Sequence, residues 1–169
     1  NNDGLDIVLE RLKRNTPNGF LGANIGPNKD SINRIEDYLN CLGKIHSLVN
    51  YITINISSPN TPGLREFHDQ KILQNLLQKL TEFSKKNKIK KPLVLKVSPD
   101  ITDDEVSNVI ELIKKFKING VIISNTTDKN REKLLGSNKN EEGGLSGEPI
   151  NKLSNNLIKK FYKEIKKEI

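Results

Sequence analysis

The sequence predicts an α/β fold: a partial (β/α)8 TIM barrel of about four consecutive β/α units. Two observations carry this. Amphipathic segments of helical period alternate strictly with short apolar runs of strand character, which implies parallel strands joined by right-handed crossovers. Periodicity by itself leaves an open doubly wound sheet equally available. The second observation separates the two. Asn24, Asn55 and Lys96 each interrupt an apolar run near its C-terminal end, and Ser124 and Asn125 end a fourth. Polar groups delivered at the same end of consecutive strands describe a barrel mouth better than a single nucleotide crevice.

The elements follow in order. Leu5, Val8, Leu9 and Leu12 set the apolar face of a first helix, and a strand is expected around Phe20–Ile25. Ile32, Ile35, Leu39 and Leu42 mark a second helix, and Tyr51–Ser57 a second strand. In that strand Ile52, Ile54 and Ile56 point to one side and Thr53, Asn55 and Ser57 to the other. Leu73, Leu76, Leu77, Leu80 and Phe83 give the third helix its buried face, ahead of a strand at Leu93–Val97. Thr102-Asp-Asp-Glu105 reads as a capping box opening a fourth helix that carries Val106, Val109, Ile110 and Ile113. Lys114, Lys115 and Lys117 followed by Gly120 suit its C-terminus, and a strand at Val121–Ser124 comes next. Residues 126–149 form a long polar connection, expected to be a mobile surface loop that returns at Gly143–Gly147. A last helix carries Leu153, Leu157, Phe161 and Ile165 along one stripe.

Composition narrows the function classes. The formal charge is +7, and 23 of the 28 basic residues are lysines. The five arginines are scattered and aromatic residues make up only 5% of the chain, so the basic-aromatic interleaving of single-strand nucleic-acid binders is missing. A solvated lysine-rich surface is the simpler reading, and no nucleic-acid partner is expected. No apolar run reaches the ~18 residues that a membrane span needs. Cys41, a single cysteine, cannot form an internal disulfide and reads as helix packing. His46 and His68 have no metal-ligand spacing and read as surface residues, so no metal is expected.

The segment Tyr51–Arg65 is the most informative. A buried strand runs into a loop holding Ser58, Asn60, Thr61 and two prolines, Pro59 and Pro62, that stiffen the backbone. Rigid polar groups at the C-terminal end of a strand are what a β/α enzyme site requires. A lysine inside an apolar strand is costly to bury unpaired, so Lys96 either snorkels outward or faces an anionic group. Asn24 and Asn55 either serve a ligand or satisfy backbone groups near a turn. Ser58 has no His or Asp beside it in sequence and on its own reads as a loop-capping hydroxyl.

Ile54-Asn-Ile-Ser-Ser-Pro-Asn-Thr-Pro-Gly-Leu-Arg65 closely resembles the active-site segment of class 2, quinone-linked dihydroorotate dehydrogenases. Gly22–Lys29, Val94–Asp100, Ile123–Thr127 and Gly143–Gly147 resemble further family blocks in the same order, and the likeness runs from Asn1 to Ile169. Class 1 relatives carry cysteine at the position of Ser58, so the serine favours class 2.

The resemblance implies oxidation of (S)-dihydroorotate to orotate in pyrimidine biosynthesis, with FMN as hydride acceptor and a membrane quinone as final acceptor. By the same resemblance Ser58 is the catalytic base, and Asn55, Asn60, Asn125 and Thr126 bind substrate. Asn24, Asn55, Lys96, Ser124 and Gly147 bind FMN, with Lys96 near the pyrimidine end of the flavin. A barrel usually needs about 250 residues, so residues 1–169 are expected to be the central part of one, with N- and C-terminal parts outside the chain. The quinone-binding extension and the phosphate loop would lie in those parts. Peripheral association with a bacterial cytoplasmic or mitochondrial inner membrane follows from the same likeness. Alternatives are a class 1 FMN barrel acting on pyrimidines, or a basic binding module without catalysis.

Overall fold

The computed structural model describes residues 3–15, 17–129, 131–132, 134–141 and 143–166. The elements run α1 (Leu5–Arg14), β1 (Gly22–Ile25), α2 (Arg34–Ile45), β2 (Tyr51–Asn55), α3 (Gln70–Lys86), β3 (Leu93–Lys96), α4 (Asp103–Lys115), β4 (Gly120–Ile122) and α5 (Glu148–Ile165). Short 3-10 segments at His46–Leu48 and Leu64–His68 precede β2 and α3.

All strand pairs are parallel, and the strands lie side by side in chain order, β1-β2-β3-β4. That order excludes the doubly wound alternative. A doubly wound sheet reverses direction at a switch point so that helices cover both faces, whereas same-direction right-handed crossovers put every helix on one face. Consecutive helices accordingly touch in sequence, α1 on α2, α2 on α3, α3 on α4 and α4 on α5. The strand side chains divide along the same line. Ala23, Ile25, Ile52, Ile54, Leu93 and Leu95 are each at most 8% exposed and form one face of the sheet. Leu73, Leu76, Leu77 and Leu80 of α3 join them in the core, each fully buried. Truncating one of these leucines to alanine would cost about 2–5 kcal/mol. By register, Asn24 pairs with Thr53, and Asn55 with Lys96, on the opposite face.

Several boundaries differ from the sequence expectation, each for a local reason. Ile32 is fully exposed and outside α2, because Asn33 caps that helix by accepting the Glu36 N–H at 3.3 Å. Phe20 is 80% exposed, outside β1 and stacked on Tyr51. β2 ends at Asn55, whose Oδ1 draws the Ser57 N–H into a turn. β4 starts at Gly120, which therefore does not terminate α4; Lys117 takes the left-handed position there, at φ +53°. In α5, Leu157, Phe161 and Ile165 are buried but Leu153 is 37% exposed. The capping box is present, with Thr102 Oγ1 accepting the Glu105 N–H and Glu105 Oε2 accepting the Thr102 N–H at 2.7 Å.

Candidate active site

The face of the sheet turned away from the helices carries Asn24, Asn55 and Lys96 at the C-terminal ends of β1, β2 and β3. Asn24 is exposed, and Asn55 and Lys96 are half-buried. Lys96 lies in register with Asn55, and its ammonium makes no hydrogen bond or ion pair with any described residue. A cation held on a half-buried strand without a partner is the donor that an anionic ligand on this face would meet. The residues present therefore fit an anionic ligand with polar groups for the two carboxamides to bond.

A continuous hydrogen-bonded chain links the end of β2 to the end of β4. Ser57 is fully buried and is its hub. Its hydroxyl donates to Asn55 Oδ1 at 3.0 Å and accepts from Asn125 Nδ2 at 3.0 Å. Asn125 Oδ1 in turn accepts the Thr126 N–H at 2.8 Å. From the helix layer, the Tyr38 hydroxyl donates to the Asn55 carbonyl at 2.6 Å, and burial pushes its pKa up so that it stays protonated. Asn55 and Asn125 are thus locked at their oxygens; Asn55 keeps both amide hydrogens to offer a ligand, and Asn125 the one not given to Ser57.

Ser58 follows the hub directly. Its Oγ accepts the Asn60 N–H at 3.3 Å, and the carboxamide of Asn60 is exposed. That contact is the capping role expected of a loop serine, and no described histidine or carboxylate bonds to Ser58. Ser124 lies beyond β4, with its hydroxyl donating to the Asn125 carbonyl at 3.1 Å and meeting Ser154 of α5 at 3.1 Å. Gly147 precedes α5 with φ +78°, a backbone that favours glycine. Its segment returns to the rim: Thr127 and Leu145 exchange backbone hydrogen bonds, and a Cβ on Gly144 would fall inside the Thr126 side chain. The connection expected over residues 126–149 thus comes back as anticipated, although Asn130, Lys133 and Glu142 fall outside the described residues.

A second polar layer sits behind the rim, and spacing alone points to none of it. Arg65 reaches Asp100 and Asp128, Thr127 is fully buried, and His68 is only 2% exposed. The expected surface role of His68 is therefore corrected. Its Nδ1–H donates to the Arg65 carbonyl at 2.9 Å, and its Nε2 accepts the Ser98 N–H at 3.3 Å. Burial is the main influence and lowers its pKa, so the ring is neutral and ties the loops after β2 and β3 together. Cys41 is half-buried on α2, and burial pushes its thiol pKa up, in keeping with packing. Among the described residues, no cluster of three or more His, Cys, Asp or Glu could hold a metal, and no helix is long and apolar enough to cross a membrane.

Sequential parallel strands, one helix layer and a polar rim at the strand ends define part of a (β/α)-barrel enzyme. The chain belongs to the dihydroorotate dehydrogenase family, whose model matches residues 1–169. It is 44% identical over 161 residues to a dihydroorotate dehydrogenase (quinone) of Christiangramia forsetii, covering 94% of this chain and 47% of that protein. The protein of the same name from Vibrio cholerae is 43% identical over 176 residues, covering 100% of this chain and 52% of the relative. Among solved structures, DHODH from Eimeria tenella in complex with ferulenol superposes with a TM-score of 0.88 at 30% identity, covering 97% of this chain and 50% of the other. Its ligand-free form gives 0.85 at 29% identity, covering 95% and 51%. The chain spans about half the length of the curated relatives it matches.

Proposed function

We propose that these residues form the FMN- and substrate-facing part of a quinone-dependent dihydroorotate dehydrogenase. The observation that carries the proposal is the unpaired ammonium of Lys96 in register with Asn55 on the open face of the sheet. Lys96, Asn24 and Asn55 would hold the flavin ring from the strands, and Ser124 and Gly147 from the last connection. When bound, FMN supplies the hydride acceptor for C6 of dihydroorotate.

The remaining work belongs to the chain. Asn55, Asn60, Asn125 and Thr126 offer amide and hydroxyl groups that match the carbonyls and N–H groups of a pyrimidine ring. The Ser57 hub fixes two of these carboxamides before substrate arrives, so little rotamer freedom is lost on binding. Ser58 would take the proton from C5. The Asn60 N–H on its oxygen favours the negative charge that a reacting hydroxyl develops. A free serine hydroxyl is a weak base, so as the C5 proton arrives its own proton would pass onward to a water molecule and from there to solvent. Quinone as final acceptor, and the peripheral membrane association that goes with it, are carried over from the names of the relatives.

The test uses a full-length barrel that contains these residues. It should purify yellow, lose its flavin colour anaerobically on addition of dihydroorotate, and regain it with a quinone. A flavin-loaded protein that dihydroorotate does not bleach would overturn the reading.

A further inference from the structure

Arg65 makes contacts that its place in the chain does not announce. It lies in the 3-10 segment Leu64–His68, a few residues after the Ser58–Asn60 turn. Its Nη1 is 3.1 Å from Asp100 Oδ2, in the loop after β3, and 2.8 Å from Asp128 Oδ1, in the connection after β4. Its Nη2 donates to the Thr126 carbonyl at 3.4 Å. One guanidinium therefore joins three consecutive strand-to-helix loops, and each of them contributes to the rim or backs it.

Burial separates this group from an ordinary surface pair. The Arg65 side chain is 25% exposed and that of Asp100 only 6%, whereas exposed pairs contribute about 0–1 kcal/mol. Asp100 is shared further, because the Thr127 hydroxyl lies 2.7 and 2.9 Å from its two oxygens. Thr127 also anchors Leu145 through the backbone. Partial desolvation is the largest single influence on the Asp128 carboxyl and pushes it up, but the hydrogen bond and charge of Arg65, with a backbone hydrogen bond and the charge of Lys129, together bring it below its ordinary value. Two carboxylates face one cation, so a neutral residue at position 65 would leave them repelling each other. A planar fork spans such partners; the point charge of lysine does not.

We propose that Arg65 is the positioning residue that sets the Ser58–Asn60 turn against Asn125 and Thr126. This rests on the function proposed above. The guanidinium is engaged by Asp100, Asp128 and the Thr126 carbonyl, so Arg65 acts through the Thr126 carbonyl and the loop that carries Ser58. A misplacement of about 1 Å between a base and its substrate can cost ~10²-fold in rate, so the clamp bears directly on proton abstraction.

The test compares wild type, Arg65→Lys, Arg65→Gln and Asp128→Asn in the flavin-loaded, full-length enzyme. Three quantities are read for each bound flavin: anaerobic reduction by dihydroorotate, the orotate dissociation constant from the flavin spectrum, and reoxidation by a soluble quinone. Arg65→Lys should slow reduction by about 10-fold, within the range that misplacement allows, and weaken orotate binding several-fold with reoxidation unchanged. Arg65→Gln should do more, and Asp128→Asn less in the same direction. A lower melting temperature in Arg65→Lys, with per-flavin reduction and orotate affinity as in wild type, would make Arg65 a stability staple and end the proposal. If the Arg65 variants do not hold flavin, Asp128→Asn decides, since that carboxylate is 54% exposed; wild-type reduction and affinity there also end it. A wild type that dihydroorotate fails to reduce removes the functional reading and this proposal together, whereas a normal wild type with normal variants removes this proposal alone.

Discussion

Lys96 is the side chain whose surroundings most need a ligand. It emerges beside Asn55 on the open face, half-buried and without a described partner. In a full-length barrel, Lys96→Met keeps most of the stem and removes the charge. FMN occupancy should fall and the flavin reduction potential should drop, because reduction adds negative charge that no longer meets a nearby cation. Spectroelectrochemical titration checks this, and an unchanged potential at full occupancy would mean that Lys96 points elsewhere. His68 supplies a pH signature. Its folded pKa lies below the unfolded value of about 6.5 because the ring is buried. The unfolded state therefore binds the proton more readily, so the contribution of His68 to stability is complete above that pH and is lost as pH falls through it. Melting temperature should decline from pH 7.5 to 5.5, and His68→Gln should flatten the decline; an equal slope in the variant would contradict the linkage. The clustering of Asn55, Ser58 and Asn60 at the end of β2 was legible from the chain because they sit in one contiguous strand-loop segment. Ser57, Arg65 and His68 were not, since their partners Asn125, Asp100, Asp128 and Ser98 lie in other loops and meet them only after the strands pair.

At the scale of elements, α3 and α4 end in the same way. The Ile89 N–H bonds the Ser84 carbonyl and the Lys88 N–H that of Lys85; Ile118 and Lys117 repeat the pattern on Ile113 and Lys114. Both are Schellman motifs, in which the left-handed position usually holds glycine. Here it holds Lys88 at φ +56° and Lys117 at φ +53°. Lys88→Gly and Lys117→Gly should each stabilise the full-length protein by about 0.5–1 kcal/mol, the left-handed cost of a Cβ less the entropy glycine loses on folding. Lys88→Ala removes the charge but keeps the Cβ and should gain nothing. Equal gains for Ala and Gly in urea denaturation would trace the effect to lysine repulsion instead. The same helix end shows what local rules read well and badly. The Thr102 capping box was visible because its two partners are three residues apart. The stop of α4 was expected at Gly120, but a glycine opposite Val94 serves strand pairing, while a lysine bears the strained turn.

For the whole molecule, strand and helix alternation was readable from periodicity, but the choice between an open sheet and a barrel rested on where the polar residues fell. Strand order confirms that choice, because β1-β2-β3-β4 without reversal leaves one face for helices and the other for the site. The rim is a property of that whole arrangement: β1, β2 and β3 each bring a polar residue to the same face near their C-terminal ends, the segment after β4 adds Ser124 and Asn125, and the last connection brings Gly144 against Thr126. The central claim is that this face takes the C5 proton of dihydroorotate through Ser58 while the rest of the rim only binds. Stopped-flow reduction of the flavin in Ser58→Ala, made in a full-length barrel, tests it most directly. Reduction by dihydroorotate should slow at least ~10²-fold, the scale for losing a positioned acid-base group, while orotate affinity and quinone reoxidation stay near wild type. Reduction at close to the wild-type rate would contradict the claim and return Ser58 to the role of a hydroxyl that caps its own loop.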